Sequence, residues 1–363
     1  MTTKNKSQNQ ISCRLGKVGG QAVIEGVMMK SGSSYSIAVR KPDGSIAVTN
    51  HQFHSVRSKH RILNIPVLRG IVNYVEMMIL SYRTLSVSAQ EAVPEGSEEP
   101  GKFEQWIDRH LGKSFMNILM AISSILGIAL GIFLFSLVPT FLASTVDRLC
   151  DGIGWFKNLI EGLLRILIFI LYISLTGLVK DIRRLYQYHG AEHKSIFCFE
   201  NGEELTPENA KKQSRLHPRC GTSFLFVMLI LSILIFSLPF VTWENYWLRL
   251  LTKLALLPLI VGIGYEFIMY AGKHNNLFVR IVSFPGLMMQ KITTREPDLE
   301  QLEVAITALK CAMPELFPET FKQYANASDN TSVSDGAPVN SDTETVDDKR
   351  ISSDRAEDSA PLQ

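Results

Sequence analysis

The sequence has no C-x-x-C pair, and its five cysteines (Cys13, Cys150, Cys198, Cys220 and Cys311) are odd in number and scattered. That excludes a disulfide framework and a zinc ribbon. Net charge is only +2 over 363 residues, so the total leaves no nucleic-acid footprint. Met1 to Gly20 lacks the apolar core of a cleavable signal peptide, and none is expected. No obvious inverted repeat is present, which leaves little ground for a transporter.

What the chain does have is apolar sequence, concentrated between Phe115 and Ala271. Four runs reach the roughly 20 residues that cross a bilayer. They are Phe115 to Ala143, Leu159 to Val179, Phe224 to Val241 and Leu254 to Ala271. Gly127 and Gly131 in the first have G-x-x-x-G spacing, which lets a second helix approach closely. The loop between the second and third runs carries Lys180, Arg183, Arg184, Lys194, Lys211, Lys212, Arg215 and Arg219. The loops on the other side are poor in Lys and Arg, and they hold Trp155, Trp243 and Trp247. The positive-inside rule puts the basic loop in the cytoplasm, and with four spans both termini as well.

The expected architecture is mainly α: a four-span transmembrane helical bundle with a small N-terminal β-containing cytoplasmic module and interfacial amphipathic helices. Residues 1–17 read as a disordered N-terminus, and 18–65 as the β-containing module. In it, β-rich runs flank a hairpin turn at Pro42-Asp43-Gly44. Before them "GGQAVIEGVMMKSG" reads as a strand with Glu25 on its solvated face, or else as a buried carboxylate serving a site. Residues 66–90 form an amphipathic helix with a polar stripe of Arg69, Asn73, Glu76 and Arg83. An acidic, Pro/Gly-rich linker spans 91–114. The membrane domain is 115–272, with its cytoplasmic loop at 180–220. Residues 273–325 hold C-terminal amphipathic helices: Phe284, Leu287, Met288 and Met289 suit an interface, and Leu302, Ala305, Ile306 and Leu309 share one helical face. Residues 326–363, rich in Ser, Thr, Asp and Asn, read as a disordered tail.

This topology gathers polar residues at one leaflet. "YHGAEHK" contains a literal H-x-x-E-H: His189, Glu192 and His193. Histidines at i and i+4 share a helical face, and in the inverted zinc-enzyme motif the glutamate is general base to a metal-bound water. A third ligand comes from elsewhere in such enzymes; His217, Cys220 and Glu266 are the candidates. Cys220 follows Arg219 and precedes a helix, both of which favour thiolate; the plainer reading is a small interfacial residue. Glu266 is an ionisable group inside a span, by default functional, against the alternative of snorkelling to the interface. Gly190 weakens the helix yet allows a neighbour close approach. Glu161 and Arg165 read as a structural i,i+4 pair.

"GGQAVIEGVMMKSG", "YHGAEHKSI" and "HPRCGTSF", in that order, resemble the YqhQ-like family of bacterial multi-pass membrane proteins, over roughly Lys17 to Leu309. That family is a domain of unknown function labelled a predicted metal-dependent enzyme. The resemblance implies a cell-membrane protein and names no substrate.

Two readings follow. In one, a divalent metal of zinc type is held at the cytoplasmic leaflet by His189 and His193, completed by His217, Cys220 or Glu266. Glu192 is then the base of a hydrolase acting on a membrane-associated substrate. In the other, the chain is a non-enzymatic scaffold or assembly factor docking protein partners, and the cluster is a structural hydrogen-bond network. The lipid bilayer is a partner in both, and nucleic acid in neither.

Overall fold

The computed structural model describes residues 18–92, 122–150, 152, 156–217, 220–236, 246–271, 274 and 276–329. The N-terminal 1–17, most of the 91–114 linker, Trp155, Trp243, Arg219 and the tail beyond 329 lie outside the described residues.

The chain opens with a four-stranded antiparallel meander: β1 (Val18–Val23), β2 (Gly26–Ser31), β3 (Ser34–Arg40) and β4 (Ile46–Gln52). The stretch read as one strand is therefore two. Glu25 sits in the two-residue turn between them at φ 50°, followed by Gly26, whose Cβ, if present, would lie 2.1 Å from the Ala38 carbonyl. The β3–β4 turn falls at Pro42-Asp43-Gly44 as expected, with Gly44 at φ 88° and the Ser45 N–H donating to Asp43 Oδ1. Apolar residues run unbroken through Val27, Met28 and Met29 because β2 is buried on both faces. Val27 and Met29 pack with Tyr188 and Leu302, while Met28 and Ile37 pack with Leu80.

Those partners lie on three helices. Helix α1 (Leu68–Glu91) covers one sheet face through Leu80, Thr84 and Ser88. The other face is covered by two helices, Lys180–Glu200 and Leu299–Cys311. The latter starts at a reciprocal capping box, Asp298 with Gln301. Leu302, Ala305, Ile306 and Leu309 do share a buried face, but Val304, Thr307 and Ala308 are buried too. This helix packs into the core formed with the sheet and the Lys180–Glu200 helix.

Next in chain order come α2 (Ile122–Leu149), with a π-helical turn at Phe133–Leu137, and α3 (Phe156–Thr176). Helix α4 is Lys180–Glu200 and α5 is Pro207–Lys211. Then follow α6 (Gly221–Phe236), α7 (Tyr246–Ala271), α8 (Leu277–Thr293), α9 (Leu299–Cys311) and α10 (Pro318–Asp329). Among the described residues, three helices are long and apolar enough to cross a membrane: Ile122–Leu149, Phe156–Thr176 and Leu250–Ala271. The third run forms the shorter α6, and residues 237–245 after it lie outside the described set. Beside Gly127 and Gly131 there is open space, so among the described residues no helix packs on that spacing. Glu161 pairs with Arg165 at 3.0 Å, as the i,i+4 reading held, and also with Lys253 of α7. Helix α10 carries regular structure to Asp329, slightly past the expected start of the tail.

Candidate metal centre

Helix α4 carries the H-x-x-E-H residues, and the i,i+4 spacing sets the two imidazoles edge to face with ring centroids 4.5 Å apart. Gly190 lies where α4 meets the extended segment after α8. A Cβ there would lie 2.1 Å from the Arg295 carbonyl oxygen. The Arg295 N–H donates to the Tyr186 carbonyl at 2.8 Å. The glycine that weakens the helix thus admits this segment against it.

That close approach orients His189. Its Nδ1 lies 2.9 Å from the Thr293 carbonyl at the end of α8. A carbonyl only accepts, so Nδ1 carries the proton and Nε2 keeps its lone pair. His193 repeats the arrangement: Nδ1 is 2.6 Å from the Arg215 carbonyl. The next residue, Lys194, is buried and fixes that loop by donating to the Lys211 and Gln213 carbonyls at 2.9 and 2.7 Å. Both Nε2 atoms therefore face Cys220. His189 Nε2 lies 3.2 Å from Cys220 Sγ, and one ligand atom from each of the three residues falls within 4.8 Å of the others. His193 Nε2 is buried and turned toward the Cys220 thiol. Backbone carbonyls that fix the far nitrogen of each imidazole are what metal-binding histidines ordinarily have.

Glu192 stands beside the cluster and is buried. Its Oε2 has no hydrogen-bond partner. Burial pushes its carboxyl up to about 7, opposed by His189 and by a hydrogen bond from the Gly20 N–H. Burial is also the main reason the His193 imidazole is shifted down, toward the neutral form a metal needs. Gly20 is small for cause: a Cβ there would lie 3.2 Å from Glu192 Cδ and 2.5 Å from the Met28 carbonyl. Glu192, His189 and Cys220 open onto a cavity of about 640 Å³, otherwise lined mostly by apolar side chains of α1, α4, α6 and α7.

The remaining sequence candidates lie elsewhere. His217 packs its ring against His193 and Phe197, at 5.6 and 4.5 Å between centroids. Its Nε2 is directed to Glu200 at 3.7 Å, outside the three-residue cluster. Its backbone is clamped by Gln290, which accepts from the His217 N–H and donates to its carbonyl, both at 2.7 Å. Glu266 is not brought to the cluster. Arg69 grips it with Nε at 2.7 Å and with a second guanidinium nitrogen, and the Val67 N–H adds a bond at 3.2 Å. Here the start of α1 crosses α7 at contact distance, with a Gly70 Cβ only 3.0 Å from Gly262 Cα. Glu25 likewise serves packing, paired with Arg184 and accepting from Tyr188 Oη at 3.3 Å. Arg215, Thr293, Lys194 and Gln290 hold the site in place. Only the Arg and Lys content of the loop signals them in sequence, because backbone carbonyls leave no residue signature.

These features belong to a protein class with several membrane-span-like helices and a His/His/Cys cluster beside a buried carboxylate. A family profile described as "Protein of unknown function (DUF1385)" matches residues 65–315. The chain is 35% identical over 294 residues to "Uncharacterized protein YqhQ" of Bacillus subtilis (strain 168), covering 79% of this chain and 89% of that one. The protein belongs to this YqhQ-like family. No solved structure matches it significantly.

Proposed function

We propose that this is a multi-pass membrane protein whose His189, His193 and Cys220 hold a divalent metal of zinc type, and that it hydrolyses a membrane-associated substrate. One observation carries the reading: two histidines on one helix have their Nδ1 protons committed to backbone carbonyls and their Nε2 atoms converging on a thiol, beside a buried carboxylate with a bare oxygen. Three protein ligands with a fourth position open is the composition of catalytic zinc sites. When bound, such a metal acts as a Lewis acid and brings water's pKa near neutrality. Glu192 takes the proton of the attacking water on its unpartnered oxygen and returns it to the leaving group. A carboxyl shifted to about 7 is suited to both transfers. His217 backs the His193 ring, and Glu266 anchors α1 to α7.

The membrane placement follows from charge. Lys180, Arg183 and Arg184 are exposed at the start of α4, and the positive-inside rule supports a site at the cytoplasmic leaflet of the cell membrane. The apolar run that contains α6 is the fourth span in this reading, and both termini are cytoplasmic. The exposed Met78, Ile79 and Tyr82 of α1, and Phe278, Ile281 and Phe284 of α8, rest in the interface.

Metal analysis of the detergent-purified protein against a His189→Ala/His193→Ala variant tests the reading. Metal in the wild type, lost in the variant, supports it. Equal, near-zero metal in both returns the cluster to a structural network and the protein to a scaffold.

A further inference from the structure

The cavity beside Glu192 has an unusual wall. Strand β1 is an edge strand, paired only with β2. Its two-residue turn and register, Val23 opposite Gly26, put Val23, Gln21 and Gly19 in hydrogen-bonded pairs. Gly20, Ala22 and Ile24 then direct their backbone groups away from the sheet. Two contacts agree with this parity: the Ile24 N–H donates to Ser88 Oγ at 3.2 Å, and the Gly20 N–H bonds Glu192. Ala22 makes no such bond among the described residues. Gly20, Gln21 and Ala22 all line the cavity, together with Glu192, His189, Met77 and Tyr265. Among the described residues no Lys or Arg lines it.

We infer that the substrate is an extended, uncharged, apolar peptide segment that adds to β1 as a further strand and presents an amide carbonyl beside Glu192. The inference rests on the hydrolase reading for its chemistry, and on β1 alone for its binding. An exposed strand edge recognises peptide backbone through main-chain hydrogen bonds, and apolar walls take the side chains. A lipid acyl chain has no use for the outward Ala22 N–H and C=O or the Gly20 C=O. A phosphorylated head would find no cation among the described lining residues. The balance is simple hydrolysis. Water oxygen bonds the amide carbon, the C–N bond breaks, and the nitrogen leaves with the proton Glu192 took. One water is consumed, and a carboxylic acid and an amine are formed.

The test uses the full chain in nanodiscs and a fluorophore-labelled peptide of alternating Val and Ala, read by anisotropy. Two further peptides carry N-methyl groups on odd or on even amides, and a fluorescent monoacylglycerol serves as the lipid probe. The expected result is binding of the parent peptide, weakened about tenfold or more by one of the two N-methyl patterns, since lost backbone pairing costs at least ~1.4 kcal/mol. Ala22→Pro, which removes the outward N–H, should weaken the parent peptide similarly. Binding should persist in His193→Ala while cleavage stops. Equal binding of parent and both N-methyl peptides by wild type, or binding of the lipid probe and not the peptide, overturns the inference. Backbone-dependent peptide binding by a wild type that holds no metal and cleaves nothing overturns the hydrolase reading and leaves the peptide site standing.

Discussion

Glu266 and Glu192 are both helix carboxylates that the sequence pattern gathers into one polar cluster, yet their surroundings differ in kind. Glu266 accepts three hydrogen bonds, two from the Arg69 guanidinium and one from the Val67 N–H. Its valences are filled, and it fastens one helix to another. Glu192 is more deeply buried and keeps Oε2 without a partner, facing a cavity. Buried polar groups are nearly always satisfied, so an unpartnered carboxylate oxygen at a cavity wall is an exception to that rule. Depth and charge alone do not separate these two carboxylates. Their hydrogen bonding does.

The largest effect expected from breaking this contrast is on Glu192. Glu192→Gln should keep its metal and lose hydrolysis of the Val/Ala peptide by about 10²–10⁴-fold, the usual worth of a positioned acid–base group; metal content and turnover measured on one preparation check it. On the Glu266 side, Arg69→Met should loosen α1 from α7, seen as faster hydrogen exchange in α1, with metal content unchanged. Loss of metal in that variant would mean the two carboxylates serve one site after all.

Smaller effects come from the close approaches that hold each carboxylate's surroundings. Gly262→Val places a side chain 2.4 Å from Val67 Cγ1, and Gly190→Ala places one on the Arg295 carbonyl. Each should destabilise by about 1–3 kcal/mol in denaturant titrations, but only Gly190→Ala should also weaken metal retention, because it moves His189 away from Thr293. The smallest effect is on thiol reactivity. Burial pushes Cys198 up to about 11 and Cys311 up to about 12. Both should resist alkylation at pH 8, while the exposed Cys150 reacts and Cys220 is protected only when metal is added.

Much of this was legible in the sequence. Period-2 patterning and Pro42-Asp43-Gly44 gave the β3–β4 hairpin, and the apolar runs located the long helices. Of the five residues that the pattern gathers, His189, His193 and Cys220 lie together, since helix periodicity and shared depth are properties a sequence carries. The β1–β2 turn was not legible, because Glu25 takes a left-handed conformation usually left to Gly or Asn and apolar residues flank it on both sides. The partition of Glu266 was hidden for a different reason. Its partner Arg69 is 197 positions away, in the polar stripe of another helix. The Thr293 and Arg215 carbonyls that fix the imidazoles were beyond reach, because any residue supplies one.

The central claim is that His189, His193 and Cys220 are ligands and Glu266 is not. Elemental analysis of wild type, His189→Ala/His193→Ala and Glu266→Gln, purified side by side, addresses it directly. The account predicts about one zinc-type ion per chain in wild type and in Glu266→Gln, and none in the double variant. Metal that survives loss of both histidines, or disappears with Glu266, would contradict it.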